Sequence, residues 1–140
     1  MSTPFRKVLL VDDDPTTNFL NRIVLERLGV AQQVVERDNG LTALEYVRRN
    51  CMRDDVSQEG CPDLILLDIN MPLMSGPEFL GELAKMEQAD KIVTKVVVLS
   101  SSSLLKEQHL IGKYQVIDFI QKPLTAEKVD FIVRKATSGQ

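Results

Sequence analysis

The stretch "VLLVDDDPTTN" (8–18) sets three carboxylates, Asp12, Asp13 and Asp14, directly behind four apolar residues. Two carboxylates about 4 Å apart repel by roughly 4 kcal/mol at an effective dielectric near 20, so acids gathered at a strand end need a counter-charge. Asp14 has an ordinary explanation as a helix N-cap ahead of Pro15. Its two neighbours do not. Three more polar residues end apolar runs elsewhere: Asp68 closes "LILLD", Ser100 closes "VVVLS" and Lys122 follows "FIQ". Singly these are turn or surface residues. Gathered at one point, the acids make a hard-oxygen site suited to Mg²⁺, which keeps several waters and joins carboxylates to phosphoryl oxygens. A lysine and a hydroxyl beside that site would stabilise a phosphoryl group, whose transfer depends on positioning and charge neutralisation. Asp68 is then the acceptor, since an aspartyl carboxylate can act as a nucleophile towards phosphorus.

A parallel sheet is what would bring these residues together. Five short runs read as strands: "KVLLV" (7–11), a weaker "QVVE" (33–36), "DLILL" (63–67), "KVVVL" (95–99) and "VIDFIQ" (116–121). The continuous apolar runs suit strands covered on both faces. Between them lie segments of helical period, the alternation of an α/β fold. The first, "PTTNFLNRIVLERLG" (15–29), starts at Pro15 and stops at Gly29, with Phe19, Leu20, Ile23 and Val24 as its predicted core stripe. A second helix runs from about Leu41. A third opens at "SGPEFLGEL" with Pro77 in its first turn and Phe79, Leu83 and Met86 on one face. A fourth is read at "LLKEQHLIG" (104–112). The last follows Thr125 as cap, with Val129, Ile132, Val133 and Ala136 inward. Phe131 points away from that stripe, so its ring faces solvent or a partner, or packs beneath the C-terminal tail. In such a sheet, ligands bind beyond the carboxyl ends of the strands, where Asp12, Asp13, Asp68, Ser100 and Lys122 all fall.

Bulk properties narrow the classes. A length of 140 residues with 44% hydrophobic content suits one domain with one core. A net charge of −3 without a basic stripe disfavours direct nucleic-acid binding. The N-terminal apolar run is too short for a signal peptide, and no stretch reaches the roughly 20 apolar residues of a membrane span, so a cytoplasmic protein is expected. Two cysteines, Cys51 and Cys61, are too few for a disulfide scaffold and have no nearby His to complete a zinc site. They read as free thiols, Cys51 in the core and Cys61 in a loop. Residues 50–62 are polar and long for a helix-to-strand connection of about 2–6 residues, and read as a loop insertion.

The markers "LLVDDDP", "LILLDINMPLMSG", "VVVLSS" and "FIQKP" occur together and in order. By these the chain resembles the receiver domains of two-component response regulators, single-domain chemotaxis regulators among them, from about Lys7 to Ala136. The resemblance implies a flavodoxin-like, doubly wound five-stranded parallel sheet of order 2-1-3-4-5. It implies that Asp68 is the phosphoacceptor and that Asp12 and Asp13 are the acidic pair. The ion, Mg²⁺ or Mn²⁺, would meet Asp13, Asp68 and the main-chain carbonyl of Asn70, with Asp12 acting through water. Lys122 would pair with phosphoryl oxygens, and Ser100 and Phe119 would be the switch residues. Asn70 and Ser102 stand where the family tunes the lifetime of the acyl phosphate. The phosphoryl donor would be a sensor histidine kinase or a histidine phosphotransfer protein. The output would be a downstream protein or a self-dimer, through the face of the predicted fourth helix, the fifth strand and the last helix. The resemblance also implies a cis bond at Lys122–Pro123.

The expected whole is therefore a stand-alone receiver over 1–140, a signalling domain and not an enzyme, without nucleic-acid or membrane partners. Two rivals are a pseudo-receiver that binds without phosphorylation and a phosphatase of the haloacid dehalogenase type. The latter wants an Asp two residues after its nucleophile, where this chain has Asn70, and would carry the nucleophile on the first strand. Three departures from the family pattern stand out: "YQVIDFI" replaces the frequent Gly-Ala before the fifth strand, Ser75 replaces a frequent Asp, and 50–62 is longer than usual. His109 reads as a surface residue on a polar helix.

Overall fold

The computed structural model describes residues 3–51, 60–69, 71, 73–90, 94–100 and 116–137, with 87–90 as backbone. Its elements are β1 (Phe5–Val11), α1 (Pro15–Leu28), β2 (Ala31–Arg37), α2 (Gly40–Asn50), β3 (Leu64–Asp68), α3 (Gly76–Asp90), β4 (Lys95–Ser100), β5 (Val116–Gln121) and α4 (Ala126–Thr137). The strands form one parallel sheet in the order β2-β1-β3-β4-β5. The expected strand order and flavodoxin-like architecture are what the molecule has. The predicted fourth helix, His109 and Ser102 lie outside the described residues, as do Asn70 and most of the 50–62 insertion.

Successive strand residues point to opposite faces, and the inner strands β1, β3 and β4 are buried on both over most of their length. Leu9, Val11, Ile65, Leu67, Val96 and Val98 face α2 and α3, where Ala43, Val47, Phe79 and Leu80 complete one core. Val8, Leu10, Leu64, Leu66, Val97 and Leu99 face the other way, towards Leu25 of α1 and Val129, Ile132 and Ala136 of α4. Each fully buried Leu or Val contributes about 1.5–3 kcal/mol of transfer free energy, which explains why the strands read as unbroken apolar runs.

Helix ends follow the sequence closely. Asp14 caps α1 by accepting from the Thr16 N–H, and Gly29 ends it in the left-handed region at φ 63°. Asn39 caps α2 by accepting from the Thr42 N–H at 2.9 Å. Ser75 and Glu78 form a reciprocal capping box at α3, at 3.0 and 3.3 Å. Thr125 accepts from the Lys128 N–H at 3.3 Å.

Two expectations are corrected. On α1, Phe19 and Leu20 are 55% and 54% exposed, while Asn18, Asn21 and Leu25 are buried and Ile23 and Val24 half-buried. The cause is a polar tether: the Asn18 side chain donates to the carbonyls of Asp12 and Arg37, each at 3.1 Å, and so sets the rotation of the helix. The second correction concerns the cysteines, which are not free. Cys51 and Cys61 form a disulfide with a Cα–Cα distance of 4.7 Å, and both are buried. A low cysteine count speaks against a scaffold of several bridges, whereas this single bridge joins segments that only folding brings together. Phe131 stands 48% exposed, with the Lys135 ammonium 5.7 Å from its ring centre. The Lys122–Pro123 bond is cis.

Candidate functional site

Strand register brings the polar residues to one edge. Val11 lies beside Leu67 and Leu67 beside Val98, so the chain leaves β1 at Asp12 next to where β3 ends at Asp68. Ser100 pairs with Gln121, and the next N–H, that of Lys122, donates to the Ser100 carbonyl at 2.7 Å. These contacts are backbone ones, so the convergence is a property of the sheet.

Asp12 and Asp68 are buried and Asp13 is exposed; one carboxylate oxygen from each lies within 4.8 Å of the others. Lys122 Nζ donates to Asp12 Oδ2 at 2.7 Å and lies 3.4 Å from Asp68 Oδ1. The other Asp12 oxygen accepts from the Asp14 N–H at 2.9 Å. Burial on its own pulls the Lys122 ammonium down, yet the hydrogen bond and charge of Asp12, followed by those of Asp68, outweigh it and hold it above the usual lysine value. Asp14 stands apart from this cluster. Its carboxylate accepts from the Thr17 hydroxyl and the Thr16 N–H, which hold it below the ordinary carboxylate value.

Among the described residues, three carboxylates gather around the Lys122 ammonium, two of them, Asp12 and Asp68, shielded from water. Oxygen donors this close, with Asp13 open to solvent, suit a small hard cation that keeps part of its water shell. The donor chemistry therefore fits Mg²⁺ or Mn²⁺. Ser100 is fully buried at the end of β4, and Phe119 is buried on β5 against the α2–α3 side of the sheet.

Of the residues expected at the site, Asp12, Asp13, Asp68 and Lys122 come together directly, with Ser100 joined to Lys122 through the main chain. Asn70 and Ser102 lie outside the described residues. Sequence reasoning missed Asn18, whose amide fixes α1 to the carbonyl of Asp12; a polar residue one turn after an N-cap was its only signal. It also missed the Ser75–Glu78 box, although the "SGPE" spacing carries that signal openly. Gly76 matters too: a Cβ there would sit 2.8 Å from the Ile69 Cα, so the start of α3 folds directly back onto the end of β3.

A family model described as "Response regulator receiver domain" matches residues 8–134. The chain belongs to the response regulator receiver domain family. A two-component response regulator of Oryza sativa subsp. japonica is 30% identical over 136 residues, which are 96% of this chain and 97% of the relative. A probable C4-dicarboxylate response regulator of Halalkalibacterium halodurans is 29% identical over 126 residues, 90% of this chain and 49% of that protein. The receiver thus spans nearly all of one relative and about half of another. Among solved structures, a two-component response regulator from Cytophaga hutchinsonii has a TM-score of 0.82 at 27% identity, covering 96% of this chain and 98% of that one. Receiver domains are signalling domains that are phosphorylated by histidine kinases, relay to partners and bind Mg²⁺ at an acidic pocket. No helix among the described residues of this receiver is long and apolar enough to cross a membrane.

Proposed function

We propose that this receiver accepts a phosphoryl group on Asp68 and signals by a phosphorylation-dependent change of its binding surface. The observation that carries the reading is the bridge from Lys122 to both Asp12 and Asp68 inside a group of three acids. A lone Lys–Asp pair needs no third carboxylate, whereas a phosphoryl site needs a lysine and a cation together.

Asp12, Asp13 and Asp68, with the main-chain carbonyl of Asn70, would hold Mg²⁺ or Mn²⁺. When bound, the ion supplies positive charge to phosphoryl oxygens. A carboxylate oxygen of Asp68 attacks the phosphorus of a phosphohistidine. The P–N bond breaks, its electron pair leaves with the imidazole, and the ring nitrogen takes up a proton. Lys122 shifts from the carboxylates to the new phosphoryl oxygens. The Ser100 hydroxyl donates to the same group, and the Phe119 ring turns inward behind it, biasing two arrangements of the surface around β5, α4 and the predicted fourth helix. Hydrolysis of the acyl phosphate resets the domain, with Asn70 and Ser102 tuning its lifetime.

The donor is a protein, a sensor kinase or a histidine phosphotransfer domain. Beside the site, exposed Leu20 of α1 and Pro123 border a groove of about 220 Å³ that also reaches Lys122. Apolar surface in that position suits a protein donor better than a small phosphate ester. The output partner is a downstream protein or a second copy of the chain. The family match over 8–134 favours neither a phosphatase nor a non-phosphorylated module.

The direct test is incubation with Mg²⁺ and acetyl phosphate followed by intact mass, with Asp68→Asn as control. One phosphoryl adduct is expected in the parent and none in the variant. An unmodified parent, under conditions where another receiver reacts, overturns the proposal.

A further inference from the structure

The function above leaves the cysteine pair unused. Cys51 ends α2, its N–H donating to the Val47 carbonyl at 2.8 Å. Cys61 leads into β3 and lies 3.5 Å from the Thr94 hydroxyl, which donates to the Pro62 carbonyl at 2.8 Å. The neighbours of the two cysteines also touch: a Cβ at Gly60 would come within 2.8 Å of the Asn50 side-chain oxygen. The Gly60 carbonyl accepts from the buried Lys7 ammonium at 2.9 Å, and that same ammonium donates to the Tyr46 hydroxyl at 2.5 Å. Each cysteine is therefore positioned by contacts that do not depend on the S–S bond. Two thiols held this way would stay adjacent after reduction, which favours re-formation of the bond.

We propose that Cys51–Cys61 is a reversible redox site, exchanged by a dithiol/disulfide protein or a low-molecular-weight thiol/disulfide couple, that sets the stability of the receiver. In the reducing direction a thiolate of the reductant attacks one sulfur, and the other leaves as a thiolate and takes up a proton. A second reductant thiol then resolves the mixed disulfide. Two electrons enter the chain, two protein thiols form, and the reductant ends as a disulfide. Both sulfurs are buried, so exchange proceeds through opening of the last turn of α2. The pair lies at the amino-terminal end of β3 and the acidic cluster at its carboxyl end. The redox state therefore acts on stability and leaves the chemistry of Asp68 unchanged.

The test uses the full chain equilibrated across a series of glutathione redox buffers, quenched with an alkylating reagent and weighed intact. Species carrying two labels and no labels should interchange across the series, without a persistent single-label or glutathione-adduct species. Reduction should lower Tm by about 10 °C, from the loss of a short covalent loop. Cys61→Ser and Cys51→Ser should melt near the reduced parent and be insensitive to the buffer. Phosphoryl incorporation from acetyl phosphate, measured well below Tm, should match in the two forms. Two labels at every poise, a disulfide that no dithiol reduces without denaturant, or equal Tm values in the two forms would each overturn the proposal.

Discussion

Lys122 shows how one side chain answers to several acids. With a folded-state pKa above the usual lysine value, its contribution to stability is fully present below the ordinary value of 10.5 and is lost as pH rises through the higher folded value. In metal-free buffer the urea midpoint of the parent should therefore fall above about pH 10.5, and a Lys122→Met variant should lack that component. At pH 7 the variant leaves two buried carboxylates without their ammonium. It should lose roughly 2 kcal/mol, less than the 3–5 of a fully buried pair because the lysine is partly solvated. Leu73 is a second single-residue case. It sits at φ 69° with 75% of its surface exposed, so it bears left-handed backbone strain with little packing in return. Leu73→Gly should raise the unfolding free energy by about 0.5–1 kcal/mol in a urea titration, the strain of about 1–2 kcal/mol offset in part by glycine's unfolded-state entropy. A loss of stability would mean that the leucine makes contacts worth more than its strain.

Among elements, the helix caps were legible because capping is local chemistry: Asp14, Gly29 and Thr125 act within a few residues of themselves. Asn39→Ala should accordingly cost about 1 kcal/mol, read as a lower urea midpoint, since the Thr42 N–H loses its acceptor. The rotation of α1 was not legible. Periodicity favoured Phe19 and Leu20 as core residues, yet the Asn18 amide reaches the carbonyls of Asp12, the residue just past β1, and Arg37, the last residue of β2. That contact exists only after β1 and β2 pair, so no window along one helix can contain it. The disulfide was hidden for the same reason, since it joins the end of α2 to the start of β3. The outward turn of α1 gives its exposed apolar residues a use in the proposed encounter with a protein donor. Leu20→Ser should slow phosphoryl transfer from a phosphohistidine protein several-fold and leave the rate from acetyl phosphate unchanged. Equal slowing with both donors would show that the substitution disturbs the site itself.

At the scale of the molecule, the strands were readable from unbroken apolar runs, and the acidic edge from the residues that end them. Strand order came from family resemblance, because nothing in "KVLLV" or "LILLD" says which strand lies beside it. Among the described residues, the sheet separates two buried apolar clusters, one on each face. Leu66 belongs to the α1–α4 side and Leu67 to the α2–α3 side, one residue apart on the central strand. Parallel pairing makes each strand common to both layers, so loss of one layer should unpair the sheet that supports the other. Leu66→Ala and Leu67→Ala should each cost about 3 kcal/mol, and in both variants circular dichroism and tyrosine fluorescence should report one coincident urea transition. Separate transitions in either variant would mean that one layer holds its half of the sheet alone. The acidic cluster would then depend on a single face, because Asp12 and Asp68 are carried by strands that both layers share.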